Sequence, residues 1–315
     1  MLDGVVVRAY SGFYYVQLAG GETGATVECT LRGKFRQRTS GEKVRVKKSR
    51  GSAGKVVESA PVALVGDRVK VRMVDSDHGV IEAIEERSSE LTRPALANVE
   101  QVVIVFAVTN PEPNLALVDR LLTVVAAQEL EIILCFNKID LADPQVSETL
   151  VLMYKRAGYR VIPTSAKKGT NVVLLREALQ GRLSTFAGPS GVGKSALLNA
   201  VSPGHGLVTG QVSEKIHRGK HTTRYAQLLP LEGGGWVADT PGFSQLELAG
   251  ISPEELSFLF PEFEPFIGQC RFHPCFHDQE PGCAVKKALQ GGGITPLRYE
   301  HYLEFMQELR AQKVW

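Results

Sequence analysis

The segment GPSGVGKS at residues 188–195 has the residue types and spacing of a phosphate-binding loop. It follows the apolar STFA and precedes ALLNAV, which gives it the strand-to-helix context that such a loop requires. Its glycines let backbone N–H groups surround phosphate oxygens at a helix N-terminus. Lys194 is the predicted catalytic cation on the β- and γ-phosphates, and the Ser195 hydroxyl is a predicted Mg²⁺ ligand. The predicted phosphate contacts are Gly188, Pro189, Ser190, Gly191, Val192, Gly193, Lys194, Ser195 and Ala196.

Two short motifs upstream predict that the base is guanine. NKID at 137–140 follows an apolar segment, and TSAK at 164–167 follows the next one. The Asp140 carboxylate can accept hydrogen bonds from guanine N1–H and the exocyclic amine, whereas adenine would leave it unpaired. An ATP-dependent enzyme such as a kinase is therefore the disfavoured alternative. The predicted base contacts are Asn137, Lys138, Ile139, Asp140, Ser165 and Ala166.

A third motif, DTPG at 239–242, follows the apolar GWVA and predicts a γ-phosphate sensor. Asp239 is expected near Mg²⁺, and the Gly242 N–H is expected to bind phosphate. The HTT segment between the phosphate loop and DTPG offers Thr222 or Thr223 as a further Mg²⁺ ligand, and the sequence leaves both open. Phe243 directly follows Gly242, and a phenyl ring cannot orient the attacking water as a nearby Gln does in Ras and Gα.

The order of these motifs along the chain is NKID, TSAK, GPSGVGKS, HTT and DTPG. Most GTPases begin with the phosphate-binding loop. Rotating the order restores the usual cycle, so the sequence predicts a circular permutation. Such permutations are tolerated where termini lie close together at the surface.

A cysteine cluster near the C-terminus predicts a metal site. CRFHPCFHDQEPGC places Cys270, Cys275, His277 and Cys283 at the spacing of a closed tetrahedral shell, which is typical of one structural Zn²⁺. His273 is the rival imidazole, and buried free thiols are the alternative to a metal. Cys29 and Cys135 lie in apparent strands and are expected to be small core residues.

The elements that position these motifs fall into three predicted domains. Residues 1–88 contain five or six short alternating or β-branched segments, which favours an all-β barrel of the OB-fold type. In 89–248, apolar strands alternate with amphipathic helices, which predicts a parallel α/β sheet carrying the GTPase motifs. Residues 249–315 are expected to form a mainly helical zinc-binding domain, in which the helix face with Tyr302, Phe305, Met306 and Leu309 serves for packing.

The charge distribution predicts a polyanion-binding surface. The net charge is +2, yet residues 31–55 hold ten basic residues and a single acidic one, Glu42. A solvated surface is the simpler alternative, but interspersed glycines would let such a segment follow an RNA backbone. The predicted RNA contacts are Arg32, Lys34, Arg36, Arg38, Lys43, Arg45, Lys47, Lys48 and Arg50.

Composition argues against membrane insertion and secretion. The chain is 43% apolar and 22% charged, and its longest apolar run, VVIVFAV at 102–108, is too short to span a bilayer. No signal peptide is recognisable at the N-terminus. A cytoplasmic protein, expected to be a monomer without a membrane partner, is therefore predicted.

Taken together, these motifs resemble the ribosome small-subunit-dependent GTPase A (RsgA/YjeQ) family over essentially the whole chain. The resemblance implies GTP hydrolysis stimulated by the small ribosomal subunit, and a role in its late maturation through rRNA binding and GTP-dependent release. It also implies that His221, in GKHTT, is the catalytic residue that positions water in place of Gln. Arg224 stands where some relatives continue with Thr. The competing hypothesis is an RNA-binding placeholder that GTP gates, with a negligible catalytic role.

Overall fold

The computed structural model of the protein describes residues 1–20, 26–33, 63–92, 94–203, 226–239 and 247–312. Its contacts divide the chain into two compact units. The first unit consists of residues 1–101, 176–186 and 198–244, and the second of 102–175, 187–197 and 245–315. None of the helices in the described ranges has both the length and the apolar character needed to cross a bilayer.

The N-terminal part of the first unit is the expected five-stranded barrel. Its strands are β1 (Leu2–Tyr10), β2 (Phe13–Leu18), β3 (Val27–Leu31), β4 (Arg68–Met73) and β5 (His78–Ile84). They pair in the order β1-β2-β3-β5-β4, and β4 returns to β1 and closes the barrel. Side chains alternate between the two faces of each strand, and those on the inner face form a fully buried core that includes Val6, Val16, Cys29, Val71 and Ile81. One of the five or six short segments predicted for the barrel, EKVRVKK at 42–48, lies outside the described residues.

A buried ion pair fixes the segment that leaves the barrel. Arg87 is completely buried, and its Nε and Nη2 donate to the two carboxylate oxygens of Asp67 at 2.7 and 2.8 Å. The short hairpin β6 (Glu90–Thr92) and β7 (Ala95–Ala97) follows. Because a bidentate pair satisfies both planar groups at once, it holds this exit in one geometry.

The barrel sheet continues into three further strands of the first unit. In chain order they are β11 (Leu183–Ala187), β12 (Gln227–Pro230) and β13 (Trp236–Asp239). Strand β13 is parallel to β11 and antiparallel to β12. Strand β12 in turn meets β1 through the single antiparallel pair Arg8 and Gln227. The strand that ends at Asp239 therefore belongs to the same hydrogen-bonded sheet as the barrel.

The second unit contains the strands and helices around the base-recognition motifs. Its strands are β8 (Gln101–Ala107), β9 (Glu131–Asn137) and β10 (Arg160–Pro163), and β9 lies between the other two. The pair β9–β10 is parallel, and β8 is buried at every position, as its apolar run from residue 102 onward predicted. The helices are α1 (Leu115–Ala126), α2 (Pro144–Arg156), α3 (Val172–Leu179) and α4 (Lys194–Val201), of which α3 and α4 continue into the first unit.

Local sequence explains where these helices begin. The side chain of Asn114 accepts the Leu117 N–H and caps α1, while Asp143 accepts the Gln145 N–H and caps α2. Pro144 occupies the first position of α2, where its missing N–H costs nothing.

The C-terminal part of the second unit is held together by aromatic packing. Short 3₁₀ turns at Leu256–Leu259 and Pro261–Phe266 precede α5 (Ala284–Gln290) and α6 (Pro296–Gln312). Tyr302, Phe305, Met306 and Leu309 of α6 are all at most 2% exposed, so the predicted packing face is confirmed. Phe260 and Phe263 lie 5.3 and 4.9 Å, centroid to centroid, from the Tyr302 ring.

Candidate nucleotide site and metal centre

The phosphate-binding loop connects β11 to α4, as its sequence context requires. Gly188 has φ +136°, and a Cβ there would lie 2.1 Å from the carbonyl oxygen of Val105, so only glycine fits. Gly191 and Gly193 also have positive φ values. The loop therefore bends back against β8, and Lys194 becomes the first residue of α4.

The Lys194 ammonium lies within the curve of this loop. Its Nζ donates to the carbonyl oxygens of Gly188 at 2.8 Å and Pro189 at 2.7 Å. Burial lowers the pKa of Lys194, because the low-polarity surroundings disfavour its charge. An anion at this position would compensate that loss of solvation, which is the chemistry expected of a phosphate ligand.

Asn137 joins the base-recognition motif to the phosphate loop. It is the last residue of β9 and is 2% exposed. Its Nδ2 donates to the Val192 carbonyl oxygen at 2.9 Å, while its Oδ1 accepts the Ala166 N–H at 3.1 Å. One side chain therefore connects NKID, TSAK and GPSGVGKS, three motifs that are far apart in sequence.

Two hydroxyls fix the polar groups of the predicted base pocket. Thr164 Oγ1 donates to Asn137 Oδ1 at 3.2 Å, and Ser165 Oγ donates to Asp140 Oδ1 at 2.6 Å. Asp140 itself is exposed, so its carboxylate is accessible to a base. Lys138, at φ +62°, donates from Nζ to the Asn110 carbonyl oxygen. The arrangement gives a carboxylate of fixed orientation, which is what recognition of guanine requires.

Gly193→Ala is expected to weaken GDP binding by about tenfold or more. A Cβ at this position would lie 2.3 Å from Asn137 Nδ2, at a φ of +99°. Displacing Asn137 breaks a buried hydrogen bond, and an unsatisfied partner costs about 1–3 kcal/mol. Fluorescent-GDP titration measures the effect. Gly181→Ala is the matched control, since Gly181 has φ +72° and open space around it; equal losses in both variants would contradict the expected role of Asn137.

The remaining residues predicted for Mg²⁺ and catalysis are only partly described. Asp239 ends β13 in the first unit, and burial raises the pKa of its carboxyl group. A cation beside it would favour the ionised form. His221, Thr222, Thr223 and Gly242 lie outside the described residues, as do all predicted RNA contacts except Arg32. Arg32 is exposed, and its Nη1 donates to Glu82 at 2.7 Å.

The four predicted metal ligands lie together in the C-terminal part of the second unit. Cys270, Cys275, His277 and Cys283 each offer one atom, and these atoms lie within 4.8 Å of one another. The Sγ atoms of Cys270 and Cys283 are 3.9 Å apart. A tetrahedral shell with Zn–S bonds of about 2.3 Å would place its sulfurs about 3.8 Å apart. The group therefore fits a metal ion, with His277 Nδ1 as the nitrogen ligand, 3.3 Å from Cys283 Sγ.

The surroundings of this group also suit a cation. Burial raises the pKa of Cys275 to about 12, raises the pKa of Cys283 and lowers that of His277. A divalent ion would reverse the preference of the thiols for their protonated form. Backbone N–H groups of Ala284 and Lys286 point at the sulfurs of Cys270 and Cys283. His273, the rival ligand, is exposed and lies outside the group.

Some residues that support the nucleotide site were not predicted from the sequence. Thr164 of TSAK is not among the predicted contacts, although it is fully buried and its hydroxyl donates to Asn137. Its position beside two predicted contacts was the available signal. Cys135, expected to be a core residue, is fully buried and lies 3.2 Å from Thr164 Oγ1.

The fold and the site together define a class of protein. The strands that carry NKID and TSAK precede the strand that enters the phosphate loop, so the chain is a circularly permuted P-loop GTPase. Residues 84–249 match the sequence model described as RsgA GTPase, and residues 3–81 match the RsgA N-terminal domain. The chain belongs to the RsgA GTPase family and is a GTP-hydrolysing enzyme.

Similar proteins support this assignment over the whole length. A Small ribosomal subunit biogenesis GTPase RsgA from Moorella thermoacetica is 46% identical, with 99% of each chain covered. The protein of the same name from Carboxydothermus hydrogenoformans is 42% identical, and 99% of each chain is again covered. The crystal structure of YjeQ from Thermotoga maritima is 38% identical, with a TM-score of 0.77 and 98% of both chains covered. That of YloQ, a circularly permuted GTPase, is 36% identical with a TM-score of 0.78, and the similarity covers 99% of this chain and 96% of YloQ.

Proposed function

We propose that the protein is a GTPase of small ribosomal subunit maturation, whose turnover is stimulated by that subunit and whose rRNA binding is released in a GTP-dependent way. The observation that supports the nucleotide part is the hydrogen bond from Asn137 Nδ2 to the Val192 carbonyl oxygen, which connects the predicted base-recognition motif to the phosphate-binding loop. The full-length relatives named for small ribosomal subunit biogenesis support the choice of partner.

For the guanine nucleotide, we assign two sets of contacts. The NKID and TSAK residues bind the base through Asp140 and the groups that orient it. The backbone of residues 188–196 binds the phosphates, together with Gly242. Lys194 neutralises charge on the β- and γ-phosphates. The buried Asn137, the half-buried Lys194 and their hydrogen-bond partners support this assignment.

A Mg²⁺ ion bound with GTP would be held by Ser195, Asp239 and one of Thr222 and Thr223. Such an ion neutralises negative charge that develops on the phosphates. The partly buried Asp239 and the exposed hydroxyl of Ser195, at the start of α4, have the ligand chemistry that Mg²⁺ prefers.

The Cys₃His group is proposed to hold one structural Zn²⁺. Four protein ligands close a tetrahedral shell and leave no position for a reacting water. The zinc would fix the turns of the C-terminal segment, since one of its ligands, Cys283, caps the start of α5. We take the domain boundaries as 1–88, 89–248 and 249–315.

For rRNA, we propose the basic residues of 31–55 and the zinc domain as contacts. Arg32 belongs to this basic set. It and Arg72 both donate to the carboxylate of Glu82, at the outer surface of the barrel. A cytoplasmic monomer without a membrane partner is the form in which we expect this protein to act.

GTP turnover, measured with purified small subunits, large subunits and free RNA, tests the proposal. A large rate increase with small subunits alone is expected. Equal rates in all three mixtures would overturn the assigned partner. Tight GTP-dependent binding to small subunits without any increase in turnover would favour the RNA-binding placeholder.

His221→Ala is expected to keep GTP binding and to lose about 10²-fold or more of the turnover stimulated by small subunits. Positioning of a reacting water by a side chain contributes factors of this order. Lys194→Ala is the contrasting variant, since it should weaken GTP binding itself. Unchanged stimulated kcat after His221→Ala would remove this residue from the mechanism.

A further inference from the structure

The second unit contains a buried cation that belongs to neither the nucleotide site nor the metal centre. Arg298 of α6 is 1% exposed. Its Nε and Nη2 donate to the two carboxylate oxygens of Glu262 at 2.6 and 3.0 Å, and Nη2 also approaches the Tyr159 hydroxyl at 3.2 Å. Its Nη1 lies 2.7 Å from Asp119 Oδ1. One guanidinium therefore joins α6 to a 3₁₀ turn, to α1 and to the start of β10.

Aromatic rings surround the same guanidinium. Its central carbon lies 4.7 Å from the ring centroid of Phe260, 5.3 Å from that of Tyr159 and 5.8 Å from that of Tyr154. The Tyr154 ring is on α2, so this helix is also part of the cluster. Cation–π attraction over three rings adds to the ion pairs and favours one orientation of the group.

Arg298 keeps its positive charge despite its burial. Burial alone would lower the pKa of Arg298, but Tyr159, Asp119 and Glu262 raise it well above its ordinary value. Asp119 is fully buried and also accepts the Nδ1–H of His301 at 2.5 Å. Because desolvation opposes the Coulomb attraction, buried ion pairs of this kind are poor sources of stability and are better suited to fixing geometry.

From Arg298 a packed path leads to the base pocket. The Tyr154 ring lies 5.6 Å, centroid to centroid, from the ring of Phe136 on β9. Phe136, Tyr154 and Arg298 are all at most 1% exposed, and Phe136 directly precedes Asn137. Tyr159 directly precedes β10, which ends beside Thr164 and Ser165. Both loops that hold the base therefore extend from elements that touch the Arg298 cluster.

We propose that Arg298 is a positioning residue for guanine-nucleotide binding. It ties the C-terminal segment to α2, β9 and β10, so that the packing of that segment sets the affinity of a pocket it does not line. The inference rests on the proposed assignment of that pocket. Because coupling between two sites is reciprocal, bound nucleotide also stabilises the C-terminal segment against displacement.

The test compares Arg298→Met and Arg298→Lys with the control Glu308→Gln. Arg298→Lys keeps a charge but cannot contact Glu262, Asp119 and Tyr159 at once. Glu308 is on the same helix and pairs with Arg120 of the same α1, at 2.5 and 3.0 Å. Glu308→Gln therefore shows how nucleotide binding changes when α6 and α1 lose an ion pair that is not on the packed path to β9.

Two dissociation constants are measured for each full-length variant, those of GDP and of inosine diphosphate, which lacks the exocyclic amine. Both Arg298 variants are expected to bind GDP about tenfold more weakly, a usual size for coupling between sites. The preference for GDP over inosine diphosphate, which reports the contact of Asp140 with the amine, should shrink as well. Glu308→Gln should leave both constants unchanged.

A purely structural role would lower the thermal stability and the number of binding-competent molecules, but would keep both constants and their ratio. Arg298→Lys is the milder variant, and it is the one to measure if Arg298→Met does not fold. Unchanged constants and an unchanged ratio in Arg298→Lys would overturn the inference. Failure of the unsubstituted protein to prefer GDP would instead refute the proposed guanine pocket.

Discussion

Asp140→Asn is expected to lower GDP affinity by about 10³-fold or more and to create binding of xanthosine diphosphate. A site built to hydrogen-bond a ligand group rejects analogues that lack it by factors of about 10⁴–10⁵. Ser165 Oγ donates to Asp140 Oδ1 at 2.6 Å, so the oxygen of the new amide would keep this bond and its NH₂ would face the base. Guanine presents an amine there, whereas xanthine presents a carbonyl. Competition titration with both nucleotides measures the exchange.

Asp143→Asn is the matched control for this substitution. Asp143 lies three residues further on and caps α2 through the Gln145 N–H, a role that Asn fills equally well. Its variant should keep the preference for GDP. A variant of Asp140 that still prefers GDP over xanthosine diphosphate would exclude this carboxylate from base recognition.

Removing the proposed Zn²⁺, either with a chelator or through Cys283→Ser, is expected to unfold the segment from about residue 267 to the start of α5. In zinc-finger peptides the metal supplies about 10–16 kcal/mol of apparent binding energy at neutral pH. Here Cys283 caps α5, and the hydroxyls of Tyr299 and Tyr302 donate to the carbonyl oxygens of His277 and Phe276. Loss of the metal should therefore loosen α6 as well. Limited proteolysis and metal content per chain are the measurements.

Cys29→Ser is the control for the cysteine substitution. Cys29 is fully buried in the barrel core, so its replacement costs stability there but should leave one metal per chain. Because burial raises the pKa of Cys275 to about 12 and also that of Cys283, binding must displace protons from thiols. Metal affinity should consequently fall as pH is lowered. Full metal content in Cys283→Ser would contradict the assigned ligand set.

The sequence alone was sufficient wherever the chemistry is local. GPSGVGKS keeps the contacts of its lysine within the loop, and the cysteine motif keeps its four ligands within one short segment, so each pattern itself defines the geometry. Element types were equally predictable, because β8 is apolar after Gln101 and α6 repeats its buried residues at helical spacing. The motif order was enough to predict the permutation, since a rotated cycle leaves every strand and helix intact.

Only the tertiary structure could bring together residues that are distant in sequence. The contact of Asn137 with Val192 and of Thr164 with Asn137 depends on strands placed side by side. Asp119 and Arg298 have no motif around them, and a charged residue in a helix is normally expected to face solvent. The pairing of β1 with β4, which closes the barrel, and with β12, which extends the sheet, likewise joins segments that are distant in sequence.

There is a physical reason why local motifs are readable from the sequence and distant contacts are not. Local motifs are encoded by backbone conformations and ligand reach over a few residues, which residue types reveal directly. Buried polar clusters such as that of Arg298 depend on which surfaces meet once the apolar faces have packed, and their members carry no periodic signal of their own. For this protein, the sequence predicted what is bound and through which motifs; the folded chain decided which distant residues hold those motifs in place.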